Sequence, residues 1–280
     1  MKLLIVNADD FGLNDAATDG IIESHRAGTV TSTTLMVNAP AAEQAAALAH
    51  EHPALGVGLH FNLTWGRPLS ASGDVPALVG PDGVFIPREK LARRLLAGRI
   101  PAREVAIELR AQLQRIEALG IRPTHVDSHQ HVHAFGTVFS AVAGHCADAG
   151  IPMRVPWAAT DHGVSAGRWL RRAVLRTLLA RSTARWRGRV RWNDGLGSVF
   201  DLGAQGEPLR DEHYRRILAR AHDGCFELMV HPVTDAGGMA GYTRIGEVAE
   251  AEWRYLRTGS LVDVAKAMGF RLGSYRDIAA

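Results

Sequence analysis

Short apolar, β-rich runs alternate along this chain with longer stretches whose apolar residues recur at helical spacing. Runs at Leu3–Asn7, Val30–Asn38, Leu55–Asn62, Thr124–Ser128, Met153–Val155, Phe226–His231 and Phe270–Leu272 predict strands. Helices are expected over Asp15–Ala27, Ala41–His50, Ala102–Leu119, Thr137–Ala149, Asp211–His222 and Gly246–Gly269, the last broken near Gly259. Alternation on this scale predicts parallel βαβ units, in a barrel or an open doubly wound sheet, and the favoured expectation is α/β: an irregular, TIM-like (β/α) barrel forming a single domain over residues 1–280. Two segments break the rhythm, Thr64–Arg99, rich in Gly and Pro, and Ala158–Gly206. Both read as excursions over the face that carries the chemistry.

In such a barrel, catalytic groups sit at the carboxyl ends of the strands. The polar residues follow that rule: Asn7, Asp9 and Asp10 follow the first run, His60 and Asn62 end another, Asp127 and His129 the next, and His231 a later one, while Arg154 sits beside the strand expected at 153–155. Two adjacent acids exceed what a helix start needs, because Asn14 and Asp15 are better placed to cap it. Adjacent acids can divide labour, one ligating a metal and its neighbour staying free as a base. His60 alone reads as a hydrogen-bonded structural residue and gains chemical meaning only with partners.

The segment from Thr124 to His133 supplies them. Four of the chain's thirteen histidines fall within nine residues, and Asp127, His129, His131 and His133 share one parity, so an extended backbone would point them the same way. Imidazoles with one carboxylate make a three-ligand site open to water and substrate, so a hydrolytic divalent metal is expected. One small ion cannot take all of these histidines, and some must support the ligands. Arg154, beside a Pro156-Trp157 wall, reads either as a surface cation or as the group that keeps a carboxylate ionised. His231 is a candidate general acid.

Composition narrows the class. With 280 residues, 46% hydrophobic and 22% charged, the chain is neither disordered nor fibrous. The amino end, Met1 to Val6, meets Asp9 and Asp10 too soon for a signal peptide, and no run approaches the ~18 apolar residues of a membrane span. Two cysteines, Cys146 and Cys225, fit a reducing compartment, and a cytoplasmic location is expected. The pI of about 9.1 has a local origin. Nine arginines and no acid lie between Asp161 and Asp194, and without them 23 basic face 29 acidic residues. That argues against a broad nucleic-acid surface. Leu170, Val174 and Leu178 form one helical row and Arg168, Arg172 and Arg176 another. The plain reading is a solvated helix packed on the barrel. The sharper reading is a lid over 168–191 that meets an anionic membrane surface, at the inner face, or a phosphorylated glycolipid.

Taken together, the motifs resemble those of the YdjC-type carbohydrate deacetylases, a group that includes the chitooligosaccharide and hopanoid-associated deacetylases. The matching segments are Leu4–Gly12, Gly28–Thr34, Gly58–Thr64, Pro123–His133, Met229–Pro232 and the closing Arg271–Asp277, with the histidine motif and the tail closer in form to the chitooligosaccharide branch. The resemblance implies a barrel hydrolase that removes N-acetyl groups from amino sugars with one divalent cation, magnesium or zinc. It implies Asp10, His60 and His129 as metal ligands, Asp9 as general base, Arg154 as the arginine that orients the base, and His231 as general acid. Asn7, Asn62, Asp127, His131, His133 and Trp157 would support the ligands or contact substrate. A homodimer is expected on the same ground. The arginine-rich middle has no counterpart in the chitooligosaccharide pattern. The competing readings are a metal-dependent phosphoesterase or amidohydrolase on a similar barrel, and a catalytically idle metal- or sugar-binding protein.

Overall fold

A computed structural model describes residues 2–157, 166–204, 206–242 and 244–278. The chain begins with β1 (Lys2–Phe11), α1 (Asp15–Arg26), β2 (Ser32–Leu35), α2 (Ala42–Glu51) and β3 (Gly56–Phe61). Helices α3 (Arg88–Leu96) and α4 (Ala102–Ala118) lead to β4 (Val126–Ser128), α5 (Gly136–Ala149), α6 (Ala166–Trp186) and β5 (Gly195–Gly197). The remainder is α7 (Asp211–Leu218), β6 (Cys225–Val230), α8 (Gly246–Leu256), α9 (Ser260–Ala267) and β7 (Phe270–Gly273). Asn14 caps α1, its side chain accepting from the Ala17 amide at 2.9 Å, which leaves Asp9 and Asp10 free of that duty. Gly259, at φ +80°, separates α8 from α9 at the expected break.

Every strand pairing is parallel, in the order β4-β3-β2-β1-β6-β5, with β7 also beside β1. The long β1 organises the sheet. One edge carries β6 from Leu3 to Ala8; the other is shared, β7 pairing at Lys2–Ile5 and β2 from Asn7 onward. Single-residue parallel bridges, Val126 to Met153 and Met153 to Trp192, carry the curl from β4 towards the segment entering β5. The result is an irregular (β/α) barrel whose apolar residues fill the space between sheet and helices.

Several expectations change for physical reasons. The strand expected at Met153–Val155 is a single bridging residue, because Pro152 and Pro156 lack the N–H groups a ladder needs. Strand β5 lies inside the expected excursion, hidden because it is short and glycine-flanked. A Cβ on Gly197 would meet the Ile217 side chain at 2.6 Å and the Phe226 ring at 2.9 Å. Of the expected apolar row on α6 only the Leu178 side chain is described, and it is half-buried, while among the described residues of the helix Leu179, Thr183 and Trp186 are buried. Trp186 lies over Gly144 of α5. The Arg168, Leu170, Arg172 and Val174 side chains lie outside the described residues. Arg176, Arg181, Arg185, Arg187 and Arg189 are exposed. Cys146 and Cys225 are free and buried, and among the described residues no helix is long and apolar enough to cross a membrane.

Candidate active site

The interior of this barrel is polar because alternate residues of each strand share a face. Asn7 and Asp9 of β1, Thr34 of β2, His60 of β3, Asp127 of β4 and Glu227 of β6 meet there, all buried. Asp10, next to Asp9, would point outward in a regular strand. A bulge prevents this: between Ala8 and Phe11 the register against β2 shifts by one residue, and Asp10 takes the left-handed conformation, φ +66°. Both carboxylates therefore line one cleft of about 400 Å³, together with His60, His129, His131 and His231. Holding a non-glycine residue there costs about 1–2 kcal/mol.

Asp10 Oδ1 lies 3.2 Å from His60 Nε2 and 3.0 Å from His129 Nδ1. One ligand atom from each of the three falls within 4.8 Å of the others, a donor set of the kind that holds a divalent cation. The other face of His60 is fixed, its Nδ1 lying 2.7 Å from Asp127 Oδ1, with Thr34 Oγ1 3.1 Å from both groups. Burial pushes the His60 imidazole down, but the Asp127 and Asp10 carboxylates outweigh it and hold the ring's pKa well above its usual range. Burial likewise pushes Asp10 up, and His129 and His60 hold it well below the ordinary carboxylate range. Two carboxylates on opposite edges of one imidazole leave a negative surplus at Asp10, which suits a cation at that edge.

Arg154, fully buried, grips the second acid. Its NH1 and NH2 donate to Asp9 Oδ2 and Oδ1 at 2.7 and 2.6 Å, NH1 also reaches Asp127 Oδ2 at 2.7 Å, and Nε donates to Glu227 Oε1 at 2.8 Å. Asn7 adds a donor to Asp9 Oδ1 at 3.0 Å. Burial would raise the Asp9 carboxyl; the guanidinium overrides it and holds Asp9 ionised, well below the usual carboxylate range. His231 Nε2 stands 3.9 Å from Asp9 Oδ2, and its backbone N–H donates to Glu252 Oε2 at 2.8 Å. Burial lowers the His231 pKa against the pull of Asp9 and Asp10. Glu252, pushed up to about 8 by burial, has a second oxygen with no partner.

The histidine run behaves differently from its parity. β4 ends at Ser128, and Gln130 and His131 adopt left-handed backbone, φ +54° and +55°, inside a tight helical turn. This aims His129 and His131 into the cleft and turns His133 away, its Nδ1 pairing with Ser128 Oγ. Burial and then Arg154 push the His131 pKa down to about 3, so that ring is neutral. Asn62 also stays out of the cleft: its side chain binds the Thr64 and Trp65 amides, the Trp65 carbonyl and Asn38. Trp157 donates to the Asn193 carbonyl at 2.8 Å and packs against the core. Sequence reasoning missed Glu227, Glu252, Thr34 and Tyr275. An acid inside the apolar run Phe226–Val230 was the available signal for Glu227, since buried carboxylates require a partner.

An irregular parallel barrel with a carboxylate and imidazole cleft at its strand ends is the class that fold and site define. The chain belongs to the YdjC-like protein family, whose model matches residues 3–266. It is 37% identical over 284 residues, 99% of each chain, to a chitooligosaccharide deacetylase of Klebsiella pneumoniae (strain 342). Over 154 residues, 55% of this chain and 59% of the relative, it is 47% identical to a carbohydrate deacetylase of Brevibacillus brevis. A crystal structure from Enterococcus faecalis V583, described as that of a candidate cellobiose-phosphate cleavage protein, superposes with a TM-score of 0.80 at 26% identity, covering 100% of this chain and 99% of that one.

Proposed function

We propose that this protein is a carbohydrate deacetylase that hydrolyses the N-acetyl group of an amino sugar, releasing acetate, with one divalent ion held by Asp10, His60 and His129. The observation that carries the reading is the meeting of Asp10, His60 and His129 in one cleft with an Arg154-bound Asp9 and with His231. The names of the relatives, carbohydrate and chitooligosaccharide deacetylases, support the substrate class. A bound divalent cation, magnesium or zinc, would lower the pKa of a water and polarise the acetamide carbonyl.

The chain's own groups do the rest. Asp9, held ionised and aimed by Arg154, accepts the proton of the attacking water. His231 Nε2, 3.9 Å from Asp9 Oδ2, delivers a proton to the departing nitrogen as the C–N bond breaks, and the proton that Asp9 took from water passes back to it, so both groups end as they began. Its burial lowers its pKa and so makes its protonated form the stronger acid. Water thus divides between acetate and a free amine. Asp127 and Thr34 hold the His60 ring, and His131 lines the wall as a neutral imidazole.

The test is Asp9→Asn assayed for acetate release from N-acetylated oligosaccharides. Cation content should persist while turnover falls by about 10²-fold or more. Unchanged turnover removes Asp9 from the base role, and acetate release that survives a chelator sinks the metal requirement. Phosphate release measured in parallel separates the phosphoesterase reading. The exposed arginines after residue 175 favour a second substrate form, an amino-sugar glycolipid at an anionic membrane surface, which the same assay reads with lipid-linked substrates.

A further inference from the structure

Among the buried groups outside this reaction are Glu227 on β6 and Tyr275 in the closing Arg271–Asp277 segment. Charge balance does not account for Glu227. Asp9 and Asp127 already compensate the single guanidinium of Arg154, and burying a third carboxylate beside them is costly. Geometry accounts for it. Arg154 has five N–H groups on three nitrogens, and each nitrogen donates to a carboxylate, with NH1 also 2.7 Å from Asp127 Oδ2 as an ion pair. NH1 serves Asp9 Oδ2 and Asp127 Oδ2, NH2 serves Asp9 Oδ1 and Glu227 Oε1, and Nε serves Glu227 Oε1. Asp9 therefore occupies one edge of the planar fork and Glu227 the other. With only Asp9 and Asp127 as acceptors, the Nε edge would be unsatisfied and the fork free to swing.

Glu227 is itself held from below. Tyr275 donates its hydroxyl to Oε2, and its ring stacks on His125 with centroids 3.8 Å apart and planes 8° from parallel. Leu3, Ile5 and Cys225, at the amino ends of β1 and β6, enclose the same ring. A line of contacts thus runs along the barrel axis from its floor to the cleft: Tyr275, Glu227, Arg154, Asp9.

We propose that Glu227 and Tyr275 are positioning residues, which lock the Arg154 guanidinium and through it hold the Asp9 carboxylate in its reacting orientation. The proposal rests on Asp9 as the base, and it gives the tail segment a role in turnover as well as in folding.

The experiment compares Glu227→Gln, Tyr275→Phe and the double variant, reading kcat and KM for acetate release and hydrogen exchange at Arg154 Nε by nitrogen-15 NMR. Glu227→Gln should lower kcat by about 10-fold or more with KM and cation content unchanged, since small misplacements of reacting groups cost that much. Tyr275→Phe should lower it less, and the double variant should match Glu227→Gln, because Tyr275 acts only through Glu227. Exchange at Arg154 Nε should quicken in all three. Wild-type kcat in a folded Glu227→Gln protein, a double variant with multiplied losses, or unchanged Nε exchange overturns the proposal. A wild-type protein that releases no acetate refutes the deacetylase reading, and Nε exchange then decides the tether by itself.

Discussion

Replacing Arg154 by Met tests the electrostatic design of the site most directly. The guanidinium is fully buried and bonded to Asp9, Asp127 and Glu227, and Met keeps the aliphatic stem without the charge. Removing one partner of a buried ion pair typically costs about 3–5 kcal/mol, because the remaining charge has neither water nor counter-ion. Three stranded carboxylates put this substitution at the upper end of that range or beyond it. At about 5 kcal/mol, and for a chain of this size, that is a fall of roughly 10–20 °C in Tm, at about 2–4 °C per kcal/mol. The contribution of Asp9 to the pH dependence should also change sign. In the native protein Asp9 is depressed below its ordinary value of 3.8, so its stabilisation is present above pH 3.8 and is lost as pH falls through the lower folded value. Without Arg154, burial, the largest influence on Asp9, faces only the weaker pull of His60 and His231, and the folded pKa should rise above the unfolded one. Stability then falls as pH rises above about 3.8. Thermal unfolding of both proteins between pH 5 and pH 8 measures this. Both proteins share the decline that Glu252 imposes, so the loss of stability from pH 5 to pH 8 should be larger in Arg154→Met than in the wild type. An unchanged midpoint, or a variant whose decline matches that of the wild type, would refute the argument that the guanidinium is what keeps Asp9 ionised.

Glu252 makes a separate pH prediction. Its pKa is pushed from 4.5 up to about 8 by burial, so the folded state holds a proton that the unfolded chain releases, and stability declines between pH 4.5 and about 8. Glu252→Gln should abolish that decline, raising stability at pH 8 by on the order of a few kcal/mol and leaving it unaltered near pH 4, as urea titrations at the two pH values will read. Gly58→Ala should destabilise by about 1–3 kcal/mol, since the added Cβ would lie 2.5 Å from the His125 ring and 2.7 Å from its carbonyl oxygen; equal urea midpoints would contradict it. Charge reversal at Arg181 and Arg185, both exposed on α6, should weaken sedimentation with vesicles containing anionic lipid, and added salt should do the same. Wild-type sedimentation that ignores both salt and lipid charge would assign the basic face to solvation alone.

Hydropathy and parity carried much of this molecule. The alternation of apolar runs marks six of the seven strands within a few residues, and it missed β5 because Gly195-Leu196-Gly197 has too little apolar content to register. The strand-end rule gathered Asp9, Asp10, His60, His129 and His231, which the barrel places in one cleft. What parity could not supply was local backbone. A bulge with a left-handed Asp10 brings two neighbouring acids to one face, and left-handed Gln130 and His131 separate His129 from His133. Side-chain alternation assumes an unbroken strand, and both departures depend on contacts with distant segments.

The sequence by itself determined the period of the elements, the chemistry available at the strand ends and the local origin of the basic pI. The tertiary structure decided which of those groups touch. Asp9 finds Arg154 across 145 positions, and Glu227 finds Tyr275 across 48. Packing brings Trp186 of α6 over Gly144 of α5 and leaves Arg181, Arg185, Arg187 and Arg189 exposed. Periodicity is a property of neighbours along the chain, whereas charge compensation and packing depend on distances in space, and only the closed barrel fixes those.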